Sequence, residues 1–170
     1  MNAVRRPNVS LDYRRSDLVA WYARRGSKLA QDDFEGAVRS LPEVDFVTFG
    51  EQRALGYDNV TELGWVENPE EVLKDCKVIL NTSPTEGMPN TTLLGLACGC
   101  AAVGVDNPAF RELAGAFAGR VSLYRGGDFD DLAEAVRREV SSWRGDTPLN
   151  LLYEDQLGPL WGELLQLESI

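Results

Sequence analysis

Histidine is absent from this 170-residue sequence, and cysteine occurs only at Cys76, Cys98 and Cys100. Without imidazole, the Ser-His and Cys-His nucleophile systems are excluded, and the commonest general base is missing. Without histidine or CxxC pairs, the usual zinc-binding patterns are missing as well. We therefore expect buried, reduced thiols and no metal site. Any chemistry must use carboxylates, cations, backbone dipoles or the substrate itself.

Long apolar runs are lacking too. The run from Leu93 to Ala102 is interrupted by glycine and cysteine and is far shorter than the ~20 residues of a membrane-spanning helix. Residues 1–16 contain four arginines but no apolar block of the kind found in secretory signals. These absences predict a soluble, cytoplasmic protein without a membrane span.

Charge is unevenly distributed along the chain, which has a net charge of -10. Residues 1–28 hold seven arginine or lysine residues and two aspartates, so the acidic excess lies in the remainder. A surface with an excess of acidic residues disfavours nucleic acid as a partner.

The length of the chain suits one globular domain. We assign residues 1–16 to a basic, linker-like segment and residues 17–170 to the domain.

Strand-like and helix-like segments alternate along the chain. Strands are predicted at residues 17–23, 44–49, 59–63, 77–82, 101–105 and 120–124. Helices are predicted from Lys28 to Leu41, from a start at Asn68-Pro69 to Cys76, from Asn90 to Cys98, and after the capping residue Asp128. This alternation predicts the α/β class, with a single Rossmann-like, doubly wound parallel sheet covered by helices on both faces.

Two loops follow strands at the edge where parallel sheets bind ligands. Residues 24–28 place three cations within five positions, although paired arginines are also typical of a solvated turn. Residues 83–92 lead into a helix whose first amides have no partner in the helix and are therefore available to an anion. We expect the two loops to hold a diphosphate together.

The second loop contains Glu86-Gly87-Met88-Pro89-Asn90, and Ala97-Cys98-Gly99 follows it at the expected distance. Together with Leu63-Gly64-Trp65-Val66 and Gly127-Asp128, these pieces make residues 60–138 resemble the carboxyl-terminal domain of retaining GT-B glycosyltransferases of the group 1, or family 4, type. The resemblance implies a domain that binds a UDP- or GDP-linked sugar as substrate, with no metal and no separate cofactor.

The resemblance also assigns roles to individual residues. Glu86 would face the hydroxyls of the donor sugar, and Arg25 and Lys28 would stabilise the departing diphosphate. These three are the catalytic candidates. The complete predicted donor-binding set is Arg24, Arg25, Lys28, Trp65, Val66, Glu86, Gly87, Met88, Pro89, Asn90, Thr91 and Leu94. Two alternatives stay open: Trp65 as a packing residue, and Glu86 as a residue that favours the helix dipole.

Three features depart from the family pattern. Leu94 occupies the position of a second glutamate that usually holds the ribose hydroxyls, and the connection from Gly50 to Asn59 is short. The acceptor-binding domain is missing from the sequence. The chain is therefore expected to be a fragment, one part of a split enzyme or a degenerate homologue. Its function is expected to be hexosyl transfer with a separate acceptor domain or subunit, or else noncatalytic binding or assembly.

Apolar residues recur at helical spacing near the carboxyl terminus, at Tyr153, Leu157, Leu160, Trp161, Leu164 and Leu167. Because monomers seldom leave a large apolar patch in water, this stripe predicts self-association through residues 153–167 or a docked partner. The alternative is that the stripe packs on the domain's own sheet.

Overall fold

A parallel sheet flanked by helices makes up the structure, a computed structural model that describes residues 16–23, 28–51 and 55–143. Its strands are β1 Ser16–Ala23, β2 Asp45–Gly50, β3 Val60–Glu62, β4 Cys76–Asn81, β5 Ala101–Val105 and β6 Val121–Tyr124. The helices in the described ranges are α1 Lys28–Ser40, α2 Glu70–Leu73, α3 Asn90–Ala97, α4 Pro108–Ala116 and α5 Phe129–Ser142.

The strand order reverses in the middle of the sheet. The order is β3-β2-β1-β4-β5-β6, and all neighbouring strands are parallel. The chain therefore builds outward from β1 in one direction and then returns to place β4 on the other side of β1. This arrangement confirms the predicted α/β class and the Rossmann-like, doubly wound sheet.

Each face of the sheet carries its own hydrophobic layer. On one face Trp21 and Val103 pack with residues of α1 and α5, such as Phe34 and Leu132. On the other face, strand residues such as Ile79 and Ala102 pack with apolar side chains of α3 and α4. Because both faces are covered, β4 and β5 need apolar residues at successive positions, which explains their nearly unbroken apolar sequences.

Helix starts show where local sequence patterns succeed and fail. Asp128 caps α5, accepting a hydrogen bond from the Asp131 amide at 3.0 Å, as predicted. Asn68 does not cap α2, where Pro69 occupies the cap position without a side-chain hydrogen bond. That helix ends at Leu73 instead of Cys76, because Cys76 already belongs to β4.

Helix α4 was not predicted, although its start carries the same Asn-Pro pair that suggested a cap for α2. Here the Asn107 side chain does cap, accepting a hydrogen bond from the Phe110 amide at 3.0 Å, and Pro108 occupies the first turn. The pair is therefore a correct cap signal at one helix and an incorrect one at the other.

A buried carboxylate fixes α1 against the turn that follows β6. Asp33 accepts hydrogen bonds from the Tyr124 hydroxyl at 2.9 Å and from the Gly127 amide at 3.1 and 3.2 Å. Burial, together with the adjacent charge of Asp33, raises the pKa of Tyr124, so the hydroxyl stays protonated and donates. Gly127 reaches this position with a φ of +79°, a conformation that favours glycine.

The three cysteines are buried and reduced, as predicted. Cys100 donates from its thiol to the carbonyls of Leu73 and Cys76, both at 3.3 Å. Among the described helices, none has the length and apolar character needed to cross a membrane.

Close packing of α3 on β4 gives a testable prediction. A Cβ added to Gly95 would lie 2.7 Å from Ile79 Cγ2, so Gly95→Ala should force the helix away from the strand and cost about 1–3 kcal/mol. Gly115→Ala in α4 is the control, because nothing lies within 4 Å of its added Cβ. That change should stabilise the helix by up to about 1 kcal/mol. Urea denaturation measures both, and equal stabilities would contradict the close approach.

Candidate functional site

A cavity of about 340 Å³ opens at the carboxyl edge of the sheet, where β1 and β4 lie side by side. Helix α1 leaves β1 toward one face, and α3 leaves β4 toward the other. The crevice between such divergent connections is where doubly wound sheets bind ligands. The cavity therefore lies where the fold itself predicts a binding site.

Five of the predicted site residues line this cavity: Glu86, Met88, Pro89, Asn90 and Thr91. Gly87 lies exposed beside them, and a Cβ added there would meet no protein atom within 4 Å. The loop after β4 and the start of α3 thus bring together six of the twelve predicted donor-binding residues. Their roles toward a donor stay predictions.

The predicted cations are only partly covered by the structure. Arg24 and Arg25 lie outside the described residues, and Lys28 is described only as the first residue of α1, without its side chain. In sequence, this cluster directly follows β1, whose Trp21 and Tyr22 line the cavity.

Three other predicted residues do not line the cavity. Trp65 and Val66 follow β3, an edge strand that β2 and β1 separate from β4. Trp65 is 73% exposed and does not belong to either hydrophobic layer of the described residues. Val66 and Leu94 are half-buried against the hydrophobic layer of α3 and α4.

Several lining residues were not predicted from the sequence. They are Trp21, Tyr22, Ala30, Ile79, Leu80, Asn81 and Thr82. Ser83 and Thr92 also line the cavity and belong to the loop that was predicted to hold a diphosphate. The available signal was Asn81-Thr82-Ser83, a run of three polar residues that ends an otherwise apolar strand. Trp21 and Tyr22 gave no such signal, because aromatic residues are ordinary strand formers.

The floor of the cavity is held by a buried aromatic ring. The Trp21 indole nitrogen donates to Thr82 Oγ1 at 2.9 Å, and the Thr82 hydroxyl donates to the Ala30 carbonyl at 2.6 Å. The indole also stacks on Phe34, with ring centroids 4.1 Å apart. These contacts join β1, β4 and α1 at the point where the strand order reverses.

A second network holds the loop above the floor. Asn81 accepts a hydrogen bond from the Ser83 amide at 2.9 Å, and its own amide group donates to Glu86 Oε1 at 3.4 Å and Thr92 Oγ1 at 3.3 Å. The Asn107 amide group donates to the Ser83 carbonyl at 3.5 Å and so connects this loop with the one after β5.

The amino end of α3 borders the cavity without a side-chain cap, because Pro89 occupies the cap position. The Asn90 amide donates to the Met88 carbonyl at 2.9 Å, and the amides of Thr91 and Thr92 in the first turn are the donors suited to an anion. Beside them, the Glu86 carboxylate can accept hydrogen bonds from hydroxyl groups. Within the described residues, no group of three or more Cys, Asp or Glu side chains is arranged to hold a metal ion. The arrangement suits a ligand that has both anionic and hydroxyl groups.

A family model for group 1 glycosyl transferases matches residues 18–142. The chain belongs to this glycosyltransferase family. No curated protein matches the sequence. The matched range contains every described strand and helix except the first two residues of β1, so membership rests on the whole sheet.

Solved structures show the same fold as this group 1 glycosyltransferase chain. A mutant of TarM from S. aureus, in complex with Fondaparinux, alpha-GlcNAc-glycerol and UDP, has a TM-score of 0.70 and 18% identity, over 83% of this chain and 32% of that one. Anabaena Alr3699/HepE in complex with UDP has a TM-score of 0.70 and 16% identity, over 88% and 48% of the two chains.

The apo form of the lipopolysaccharide outer core galactosyltransferase WaaB is a third similar structure. It has a TM-score of 0.68 and 20% identity, over 98% of this chain and 53% of that one. At these identities the likeness establishes the fold, a domain of the GT-B glycosyltransferases. This chain spans between about a third and a half of the length of these three proteins.

The Thr82 hydroxyl gives a prediction for the site of this glycosyltransferase chain. Thr82→Val keeps the shape of the side chain but removes the acceptor of the buried Trp21 indole, which should cost about 1–3 kcal/mol of folding stability. Thr82→Ser, which keeps the hydroxyl, is the control and should lose less. Chemical denaturation compares them, and a valine variant as stable as the serine variant would contradict this structural role.

Proposed function

We propose that the cavity binds a UDP- or GDP-linked sugar and that the chain is the carboxyl-terminal, donor-binding half of a retaining, metal-independent hexosyltransferase. One observation carries the proposal: in a chain of the group 1 family, Glu86 and the open amino end of α3 border a cavity at the reversal of strand order. Such a crevice suits a nucleotide, and an uncapped helix end suits its phosphates.

The charges of the lining side chains indicate that a phosphate site here needs residues in addition to the described lining of the cavity. Among the lining side chains that the structure describes, Glu86 is the only one charged at neutral pH. A diphosphate would therefore be repelled unless cations reach it. Arg24, Arg25 and Lys28 follow β1 directly, and we assign the diphosphate to them and to the amides of α3.

The sugar is assigned to Glu86 and the loop that follows it. The carboxylate offers acceptors for sugar hydroxyls, and the half-buried side chains of Met88 and Thr91 form the adjacent wall. At Gly87 the open space that a side chain would fill is available to the ligand. Backbone groups of residues 87–90 can therefore approach sugar and phosphate closely.

The base is assigned to Trp65 and Val66 beyond β3. Trp65 exposes a flat ring in the segment that follows an edge strand, and the spacing of about 14 Å between β3 and β4 suits an extended nucleotide with its sugar at Glu86. Leu94 leaves the ribose without a carboxylate partner, so ribose hydroxyls contribute less to binding here than in relatives with glutamate at that position.

Transfer with retention would proceed once an acceptor domain or subunit closes over the donor. As the bond to the sugar breaks, negative charge builds on the diphosphate, and Arg25, Lys28 and the helix amides stabilise it. The acceptor oxygen bonds to the anomeric carbon of the sugar and gives its proton to the departing phosphate, so the proton transfer needs neither histidine nor metal. Residues 153–167 stay our predicted surface for self-association or for a partner and lie outside the described residues.

A second candidate function is a noncatalytic binding or assembly module. Leu94 favours it, because this residue packs against the core instead of facing the cavity. Donor affinity separates the two candidates. Calorimetry with UDP, GDP and their glucose and mannose conjugates should give saturable binding for the first candidate, and no binding by any of these ligands leaves the second.

Removing the proposed phosphate cations should weaken binding of the bare nucleoside diphosphate. Each lost charge-assisted hydrogen bond is worth roughly 1.5–3 kcal/mol, so Arg25→Ala with Lys28→Ala should reduce UDP or GDP affinity by at least about a hundredfold. The control is Arg39→Ala with Arg137→Ala, which removes the same charge at residues that do not line the cavity. Calorimetry gives both affinities, and equal values for the two double variants would overturn the assignment.

Glu86 should recognise the sugar and not the nucleotide. Glu86→Gln keeps the size of the side chain but removes its charge, so affinity for the nucleotide sugar should fall about tenfold while affinity for the bare diphosphate stays nearly unchanged. Glu134→Gln on the exposed face of α5 is the control. If both ligands lose affinity equally with Glu86→Gln, Glu86 is structural.

A further inference from the structure

We propose that Asn81 is a positioning residue that holds the Glu86 carboxylate for sugar recognition. The inference rests on the proposed function of the cavity, but its structural part can be tested without any ligand. Asn81 is the last residue of β4 and is half-buried at the cavity wall. It is the common partner of the loop backbone, of Glu86 and of α3.

The orientation of the Asn81 amide is fixed by a backbone group. The Ser83 N–H is a donor, so the atom that faces it at 2.9 Å must be the side-chain oxygen. The NH₂ group is thereby directed at two acceptors, Glu86 Oε1 at 3.4 Å and Thr92 Oγ1 at 3.3 Å. A side chain with one acceptor and two donors satisfies all three partners.

Leucine and aspartate have nearly the shape of asparagine, but neither can make all three of these hydrogen bonds. Leucine has the shape but neither the donor nor the acceptor. Aspartate keeps the acceptor for Ser83 but loses both donors and places a second carboxylate beside Glu86. Two carboxylates as close as Asn81 and Glu86 repel each other, and one of them is therefore easily protonated. Asn81→Asp is therefore a nearly isosteric change that converts an attraction into a repulsion.

The charged groups assigned to this site come from two segments. The loop contributes Glu86, and the proposed phosphate cations Arg24, Arg25 and Lys28 follow β1 with side chains outside the described residues. The described side chains that β4, α3 and α1 place in the cavity carry no charge. In Asn81→Asp the repulsion raises the folded-state pKa of the carboxylate pair above its unfolded value. The loss of stability is thus complete at pH values above the raised pKa and declines as pH falls from the raised pKa toward the unfolded value.

A reversed pair is the matched control. In the double variant Asn81→Asp, Glu86→Gln, the glutamine amide donates to the new carboxylate, so the hydrogen bond returns with its direction exchanged. Adding Glu86→Gln should therefore stabilise Asn81→Asp at pH 7.5, although the same change in the wild type replaces a charged acceptor of Asn81 with a weaker, neutral one. A purely structural role for Asn81 would not produce this change of sign. Asn81→Leu should lose stability by an amount independent of pH.

Thermal melting of the ligand-free variants between pH 5 and pH 8 tests the arrangement. We expect Asn81→Asp to melt below the double variant at pH 7.5, and we expect this difference to become smaller toward pH 5. Failure of the single variant to fold at pH 7.5 while the double variant folds gives the same answer. A single variant without extra pH dependence, or a double variant no more stable than it, overturns the proposal.

Calorimetry with the ligands that the wild type binds then tests the functional part. Asn81→Leu, which removes the contact to Glu86 without adding a charge, should lose about tenfold in affinity for the nucleotide sugar while keeping bare UDP or GDP within about twofold. Equal losses for both ligands would overturn a role in sugar recognition. If the wild type binds no nucleotide sugar, the proposed function fails, whereas the melting comparison still decides whether Asn81 holds Glu86.

Discussion

The adjacency of β1 and β4 is the constraint on which the rest of the structure depends. These strands are distant in sequence but pair in parallel, with Ala20 beside Ile79 and Trp21 beside Leu80. Because the two strands send their helices to opposite faces, the sheet edge between them stays open. The hydrogen bond from Trp21 to Thr82 spans the same junction, so one contact supports both the fold and the cavity.

Small residues allow the helices to lie close enough to shape that junction. Gly95 brings α3 against Ile79 of β4, and Gly104 of β5 leaves room for the ring of Phe110 on α4. At both positions an added methyl group would lie within 3 Å of a core side chain. Since α3 begins at the cavity, the close packing that buries its centre also determines where its first amides lie.

Sequence patterns predicted the strands well because burial on both faces leaves little choice of residue. Where such a constraint was weak, the predictions failed: Asn68-Pro69 and Asn107-Pro108 look equivalent, yet only the second asparagine caps a helix. The difference lies in tertiary packing. Phe110 of α4 is fully buried beneath Gly104, whereas α2 is a four-residue helix that gives way at once to β4.

The candidate site was predictable where a loop carried its own motif and unpredictable where distant segments meet. Glu86 and its neighbours are contiguous, so a local pattern identifies them. Trp21 and Thr82 are 61 positions apart, and no local pattern in the sequence indicates that they contact each other. Asn81 was predictable only in part, because the sequence shows a polar residue at the end of an apolar strand but does not show which residues it contacts.

A polar residue at the carboxyl end of a buried parallel strand is therefore more informative than its place in a strand suggests. Such a residue lies half inside the sheet, where its backbone is fixed, and half at the cavity, where its side chain can hold a loop. Asn81 pairs with Gly104 through the ladder and contacts Ser83, Glu86 and Thr92 beyond it. The rigid sheet thereby limits the conformational freedom of the Glu86 carboxylate, five residues away. An acceptor that is already held in place loses less entropy when a hydroxyl-bearing ligand binds.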